Sequence, residues 1–114
     1  MLKSFAFAIS GLVAAIKGER NFRIHLVAAM LVTVLGFVFK LSLLEWAILS
    51  LTVFLVLVAE LVNTAVEKAV DLAAGGRYHP LAKTAKDVAA GGVLLAAVNA
   101  VIVGIIIFGS KIWG

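Results

Sequence analysis

Glu60, Asn63, Glu67 and Asp71 set three carboxylates and an amide at i, i+3, i+7 and i+11, a spacing that lines them along one stripe of a 3.6-residue helix. Leu61, Val62, Ala65, Val66 and Ala69 cover the other faces. The stripe begins inside the end of a membrane-length apolar segment, where a carboxylate costs ~2.5–3.5 kcal/mol on insertion scales, so Glu60 is a functional residue by default. Carboxylates so placed suit two tasks, taking a proton or holding a hard divalent cation through oxygen. Downstream, Arg77, His79, Lys83 and Lys86 supply groups that bind phosphate oxygens, and Asp87 follows them. The segment from Glu60 to Asp87 therefore has the composition for handling phosphate and a divalent cation. No G-x-x-x-x-G-K-[ST] occurs, and Gly75-Gly76 or Gly91-Gly92 alone does not replace it. If a nucleotide binds, side chains and metal must hold it.

Each of these residues also has a plainer reading. Glu60 fits a structural pair with a Lys or Asn across a helix interface. Asn63, one turn from both Glu60 and Glu67, fits either a group that holds a substrate hydroxyl or orients a carboxylate, or an amide bonded to a neighbouring helix. Glu67 fits an interface charge paired with Lys68, and Lys68 itself fits a topology and solubility charge. His79, between Tyr78 and Pro80, has the setting of a solvated loop histidine. Trp46 and Trp113 fit interfacial anchors without chemistry.

The chain that must position these groups has 114 residues, of which 64% are apolar and 14% charged, with a mean hydropathy of +1.19. That is a membrane protein, one domain over residues 1–114. With no cysteine, disulfides, thiolate nucleophiles and cysteine-ligated metals are excluded. The net charge of +4 comes from basic residues near membrane boundaries, not interleaved with aromatics on a soluble face, so nucleic acid is not an expected partner. Met1 to Ile16 has neither a long apolar h-region nor a small-residue cleavage site, and no cleaved signal peptide is expected.

Three apolar runs, Phe22 to Phe39, Leu44 to about Val66 and Val88 to Phe108, each approach the ~20 residues that cross a bilayer as a helix. Before them, Phe5, Ile9, Leu12, Val13 and Ile16 recur at helical spacing while Lys3, Ser10 and Lys17 repeat on another face, which predicts an amphipathic surface helix. Lys3, Lys17, Arg20 and Arg23 precede the first span and Lys68, Arg77, Lys83 and Lys86 lie in the second connection, whereas the first connection holds only Lys40. The positive-inside rule then makes the N-terminus and second connection cytoplasmic, together with Glu19, Glu60, Glu67, Asp71 and Asp87. A span entered near Trp46 ends near Ala65, with Glu60 and Asn63 in the inner part of the bilayer and Glu67 at its surface. Gly92, Ala96, Ala100 and Gly104 clear one face of the third span for close packing, within or between subunits. Three such spans bury little on their own, and oligomerisation is expected.

Taken together, Gly18-Glu19-Arg20-Asn21-Phe22-Arg23-Ile24-His25, the E-x-x-N-x-x-x-E run from Glu60 to Glu67, and Tyr78-His79-Pro80-Leu81-Ala82-Lys83-Thr84-Ala85-Lys86-Asp87 resemble the small prokaryotic diacylglycerol kinase and undecaprenol kinase family. The Glu19-Arg20-Asn21 and Tyr78-His79-Pro80 versions look more like the undecaprenol kinase branch. The resemblance implies an all-α integral membrane homotrimer, each protomer an N-terminal amphipathic surface helix plus three transmembrane helices, with sites shared between neighbours. It further implies Mg-ATP as donor, a lipid alcohol as acceptor, and a place in the bacterial cytoplasmic membrane. By that likeness Glu19 and Glu67 would hold Mg2+ and Glu60 would take the proton from the lipid hydroxyl, with Asn63 beside it. Lys86 would meet the phosphates, Asp87 would lie close to the ribose or to the lysine, and Tyr78 and His79 would lie near the nucleotide.

The chemistry agrees, since phosphoryl transfer asks for positioning, charge neutralisation and an oriented nucleophile. A small transporter or channel subunit is the rival from another class, with Glu60 carrying a proton or cation. Transport sites usually lie near the midplane, whereas here the charges cluster at one end and only Ser50 and Thr52 interrupt the outer half of the second span. A purely structural subunit would leave Glu60 and Asp87 unexplained. Undecaprenol and diacylglycerol both offer a primary hydroxyl on an apolar body, and the sequence does not choose between them.

Overall fold

A computed structural model of the chain describes residues 1–114, folded as four helices with no strand: α1 (Leu2–Gly18), α2 (Arg20–Val38), α3 (Leu43–Ala74) and α4 (Pro80–Trp113). Three of them, α2, α3 and α4, are long and apolar enough to cross a membrane. Antiparallel α3 and α4 form the main packed pair, α2 lies against α3, and α1 meets the rest mainly at its junction with α2.

Both α3 and α4 run well past the apolar segments that announce them. At ~1.5 Å per residue the 32 residues of α3 extend about 48 Å, longer than the ~30 Å hydrocarbon layer. Hydropathy falls where charges begin, but backbone hydrogen bonding continues until a local signal stops it. For α3 that signal is Gly75, left-handed at φ 60°, a conformation glycine adopts without a Cβ clash. The start of α3 is fixed by a capping box, in which Ser42 Oγ accepts from Glu45 N–H and Glu45 Oε1 accepts from Ser42 N–H. His79 Nδ1 accepts from Leu81 N–H at the start of α4, with Pro80 at the first helical position where a missing N–H costs nothing. At the other end of the pair, Lys111 Nζ meets Glu45 Oε1 at 2.9 Å.

Only ten residues are buried within one chain, and large apolar side chains stay exposed on every helix. That pattern belongs to a protein whose solvent is lipid. On α1, the predicted amphipathic helix, Phe5, Ile9, Leu12, Val13 and Ile16 are all exposed and only Ala15 is buried. Of the small-residue face on α4, Ala96 is buried against the bundle, Ala100 and Gly104 are half-buried and Gly92 is exposed.

Trp46 does more than anchor. Its ring is half-buried, tilted against Phe37 with centroids 4.8 Å apart, and laid over Gly36 so closely that a Cβ there would stand 2.5 Å from the ring. The rigid indole has little room to yield, so Gly36→Ala is expected to lower stability by ~1–3 kcal/mol, the usual cost of overpacking. Thermal unfolding in detergent checks this, and the double variant Gly36→Ala/Trp46→Leu should recover much of the loss. A Gly36→Ala midpoint equal to that of the parent would refute the close-packing account.

Candidate active site

The stripe seen in the sequence exists on α3 and has a gradient of burial. Glu60 is buried at 4% exposure, Asn63 and Glu67 are half-buried, and Asp71 is exposed. One end of the row is thus inside the helix bundle and the other in the open. Thr52, Val56 and Glu60 share the buried face of α3, so the helix turns the carboxylate inward for the same geometric reason that it buries Val56.

A buried carboxylate needs a partner. Glu60 has one: His25 Nε2 of α2 lies 3.1 Å from its Oε1, with the imidazole 27% exposed. It is neither the Lys nor the Asn that the sequence offers for an interhelical structural pair. His25 belongs to the motif around Glu19, but no role for it is legible there; the signal that finds it is an ionisable residue inside an apolar span, the rule that also marks Glu60.

Asn63 bonds within its own helix, Nδ2 donating to Glu67 Oε1 at 3.2 Å. This leaves its Oδ1 buried without a partner, an arrangement that costs ~1–3 kcal/mol unless something donates to it. Glu67 is therefore tied to Asn63 and not to Lys68. Lys68 instead reaches Glu19, Nζ to Oε1 at 3.8 Å, so it is more than a topology charge.

Glu19 occupies the elbow between α1 and α2, the one non-helical residue between them, with φ −119° and ψ 106°. Arg23 clamps the elbow by donating from Nη1 to the carbonyls of Ile16 and Lys17 at 2.9 and 3.0 Å, satisfying groups that a helix end leaves open. A groove of about 570 Å³ separates α1 from α3 and is lined by Ala15 and Glu19 on one side and Thr64 and Lys68 on the other. The Glu19 elbow and Lys68 of α3 consequently face the same region.

Two lysines near the start of α4 are paired with acids. Lys86 Nζ meets Asp71 Oδ1 and so links the start of α4 to the end of the α3 stripe. Lys83 Nζ meets Asp87 Oδ2 at 2.6 Å, one turn apart; the lysine beside Asp87 is thus Lys83, while Lys86 belongs to Asp71. Tyr78 is exposed in the α3–α4 connection, and His79 is held by its capping bond through Nδ1, with Nε2 on the other side of the ring. Neither is drawn into the Glu60 cluster by a hydrogen bond or ion pair.

A second feature adjoins Glu60. An apolar cleft of about 540 Å³ opens between α2, α3 and α4, walled by residues such as Val32, Val53, Val56 and Gly104, and His25 stands in its wall. Thr52, also in the wall, is internally satisfied, Oγ1 donating to Ile48 O at 2.7 Å. In one region the chain joins a buried carboxylate, an apolar cleft beside it, and a hydrophilic end bearing both signs of charge. That arrangement can bring an amphiphile's polar head to a base while a charged, water-soluble reactant comes from the other side.

The family model described as prokaryotic diacylglycerol kinase matches residues 6–108. The chain is 49% identical over 104 residues to a diacylglycerol kinase of Synechocystis, covering 91% of this chain and 59% of that protein. It is 44% identical over 110 residues to the undecaprenol kinase of Bacillus subtilis, covering 96% of this chain and 89% of the relative. With the diacylglycerol kinase of Escherichia coli K12 the identity is 34% over 102 residues, covering 90% and 83%.

Proposed function

The chain belongs to the prokaryotic diacylglycerol kinase family and is a lipid kinase of the membrane, and from that we propose that it transfers the γ-phosphate of Mg-ATP to the hydroxyl of undecaprenol. The observation that carries the reading is the burial of Glu60 at the inner end of a stripe whose outer end is exposed and paired to Lys86. A lipid alcohol can keep its tail in hydrocarbon while its hydroxyl meets Glu60, and ATP meets Lys86 from water.

In this reading Glu60 takes the hydroxyl proton as the lipid oxygen attacks the γ-phosphorus, and ADP leaves with the electrons of the broken bond. Asn63 lies one turn away, and its unpartnered Oδ1 is an acceptor suited to a hydroxyl or a bound water. Lys86 neutralises phosphate charge, Asp87 stands near the ribose through Lys83, and Tyr78 and His79 lie beside the nucleotide, His79 with its Nε2 edge.

Glu19 and Glu67 are the residues that would hold Mg2+. Both offer hard oxygen ligands, and no three His, Asp or Glu side chains converge into a metal cage. That fits a cation which takes one or two carboxylates and completes its shell with water and substrate phosphates. When bound, the ion offsets the charge of the β- and γ-phosphates.

The acting unit in this proposal is a homotrimer in the bacterial cytoplasmic membrane, with the acid-bearing ends of α3 and α4 in the cytoplasm and each site shared between neighbours. The positive charges before α2 and in the α3–α4 connection support that orientation, and the apolar faces that one chain leaves exposed support association. Diacylglycerol is the alternative acceptor, favoured by the name of the 49% identical relative; undecaprenol is preferred because the Glu19-Arg20-Asn21 and Tyr78-His79-Pro80 segments resemble that branch.

Purified protein in mixed micelles with γ-labelled Mg-ATP, given undecaprenol and diacylglycerol in parallel, is expected to label undecaprenyl phosphate in clear excess. Labelled phosphatidic acid in excess would move the substrate to diacylglycerol. A folded oligomer that labels neither lipid would overturn this acceptor assignment altogether.

A further inference from the structure

Resting on the reading of Glu60 as the base, we propose that His25 is its positioning residue: the imidazole Nε2 holds Oε1 of Glu60 and leaves Oε2 as the oxygen that meets the acceptor hydroxyl. The geometry comes from two helices. His25 extends from α2 to 3.1 Å from Oε1 on α3, and Glu60 has no other ionic partner. A glutamate side chain has three rotatable bonds and samples several rotamers unless tethered. A base displaced by about 1 Å can lose about a hundredfold in rate, because the reacting atoms no longer meet in line.

Other contacts do not supply the tether. Asn63, the nearest polar residue along the stripe, spends its amide N–H on Glu67, and Thr52 spends its hydroxyl on Ile48 O. His25 also stands in the wall of the apolar cleft between α2, α3 and α4. It is therefore positioned where an apolar acceptor body and the base come together.

The test uses the full chain and separates tethering from packing by comparing variants. His25→Leu preserves bulk without a donor, His25→Gln returns an amide donor on an arm long enough to reach Oε1, and His25→Asn carries the same amide on an arm too short. Under saturating lipid, kcat should fall about a hundredfold in His25→Leu and His25→Asn and stay within about tenfold of the parent in His25→Gln. The KM for Mg-ATP should remain within about twofold in all three, because nucleotide binding does not use this contact.

Equal losses in Gln, Asn and Leu would overturn the tether, as would a His25→Leu protein that turns over within about threefold of the parent. If the Leu variant fails to fold, the Gln and Asn pair decides alone, and equal turnover between them sinks the proposal. Failure of the underlying reading is seen elsewhere: a parent protein without transfer activity removes the kinase assignment, and an active Glu60→Gln removes the base.

Discussion

Glu60→Gln is expected to lower kcat by at least about a thousandfold while the protein still folds, associates and binds Mg-ATP. General-base help contributes ~10²–10⁴-fold, and this base has no deputy: Asn63 carries no proton-accepting charge, and Glu67 lies two turns further along, tied to Asn63. The substitution is nearly isosteric. It keeps a carbonyl oxygen that can face His25 Nε2, so the contact between α2 and α3 survives in a neutral form. It also removes a charge from the bundle, so thermal stability should hold or rise, in keeping with the cost of burying ions. Loss of turnover without loss of stability distinguishes a functional carboxylate from a structural one. The measurement is labelled phosphate transfer beside thermal unfolding and nucleotide binding on the same preparation. Full retention of activity would remove the base assignment, and a collapse of folding would return Glu60 to the role of an interhelical pair.

Periodicity carries the stripe, because side chains that share a helix face share a spacing, and the burial gradient from Glu60 to Asp71 follows from where the apolar run stops. Helix ends were legible only in part. The apolar runs stop at about Val66 and start at Val88, whereas backbone hydrogen bonding continues to Ala74 and resumes at Pro80; Gly75 and the His79-Pro80 cap set those limits, and hydropathy does not see them. Pairings across helices were the least legible. His25 with Glu60, Lys68 with Glu19 and Lys86 with Asp71 join residues at least 15 positions apart, and no local rule pairs residues at that separation. Trp46 over Gly36 belongs to the same class, since a glycine in a span becomes meaningful only when the ring above it is known.

Glu67→Gln gives the second large effect, and it bears on the metal. Asn63 donates to Glu67 Oε1, so two accounts of Glu67 compete: a hydrogen-bond acceptor that steadies α3, or a charged ligand that meets a cation. Glutamine separates them, because its carbonyl still accepts from Asn63 while its charge is gone. On the structural account activity should barely change. On the ligand account kcat/KM should fall about 10²–10³-fold, the usual cost of deleting one group that stabilises transferring phosphate, and the Mg2+ concentration giving half-maximal rate should rise. Glu19→Gln should move both quantities in the same direction. Lys68→Ala should shift the Mg2+ requirement the other way, because it frees Glu19 from the ammonium 3.8 Å away; this pair is largely exposed on the lysine side, so its own effect on stability should be within about 1 kcal/mol. A magnesium titration of the four proteins, parent included, decides the matter. Parallel curves with unchanged midpoints would leave Glu19 as a carboxylate of the α1–α2 elbow and Glu67 as the acceptor of Asn63, and send the search for the cation's ligands to Asp71 and Asp87, the two acids that now hold Lys86 and Lys83.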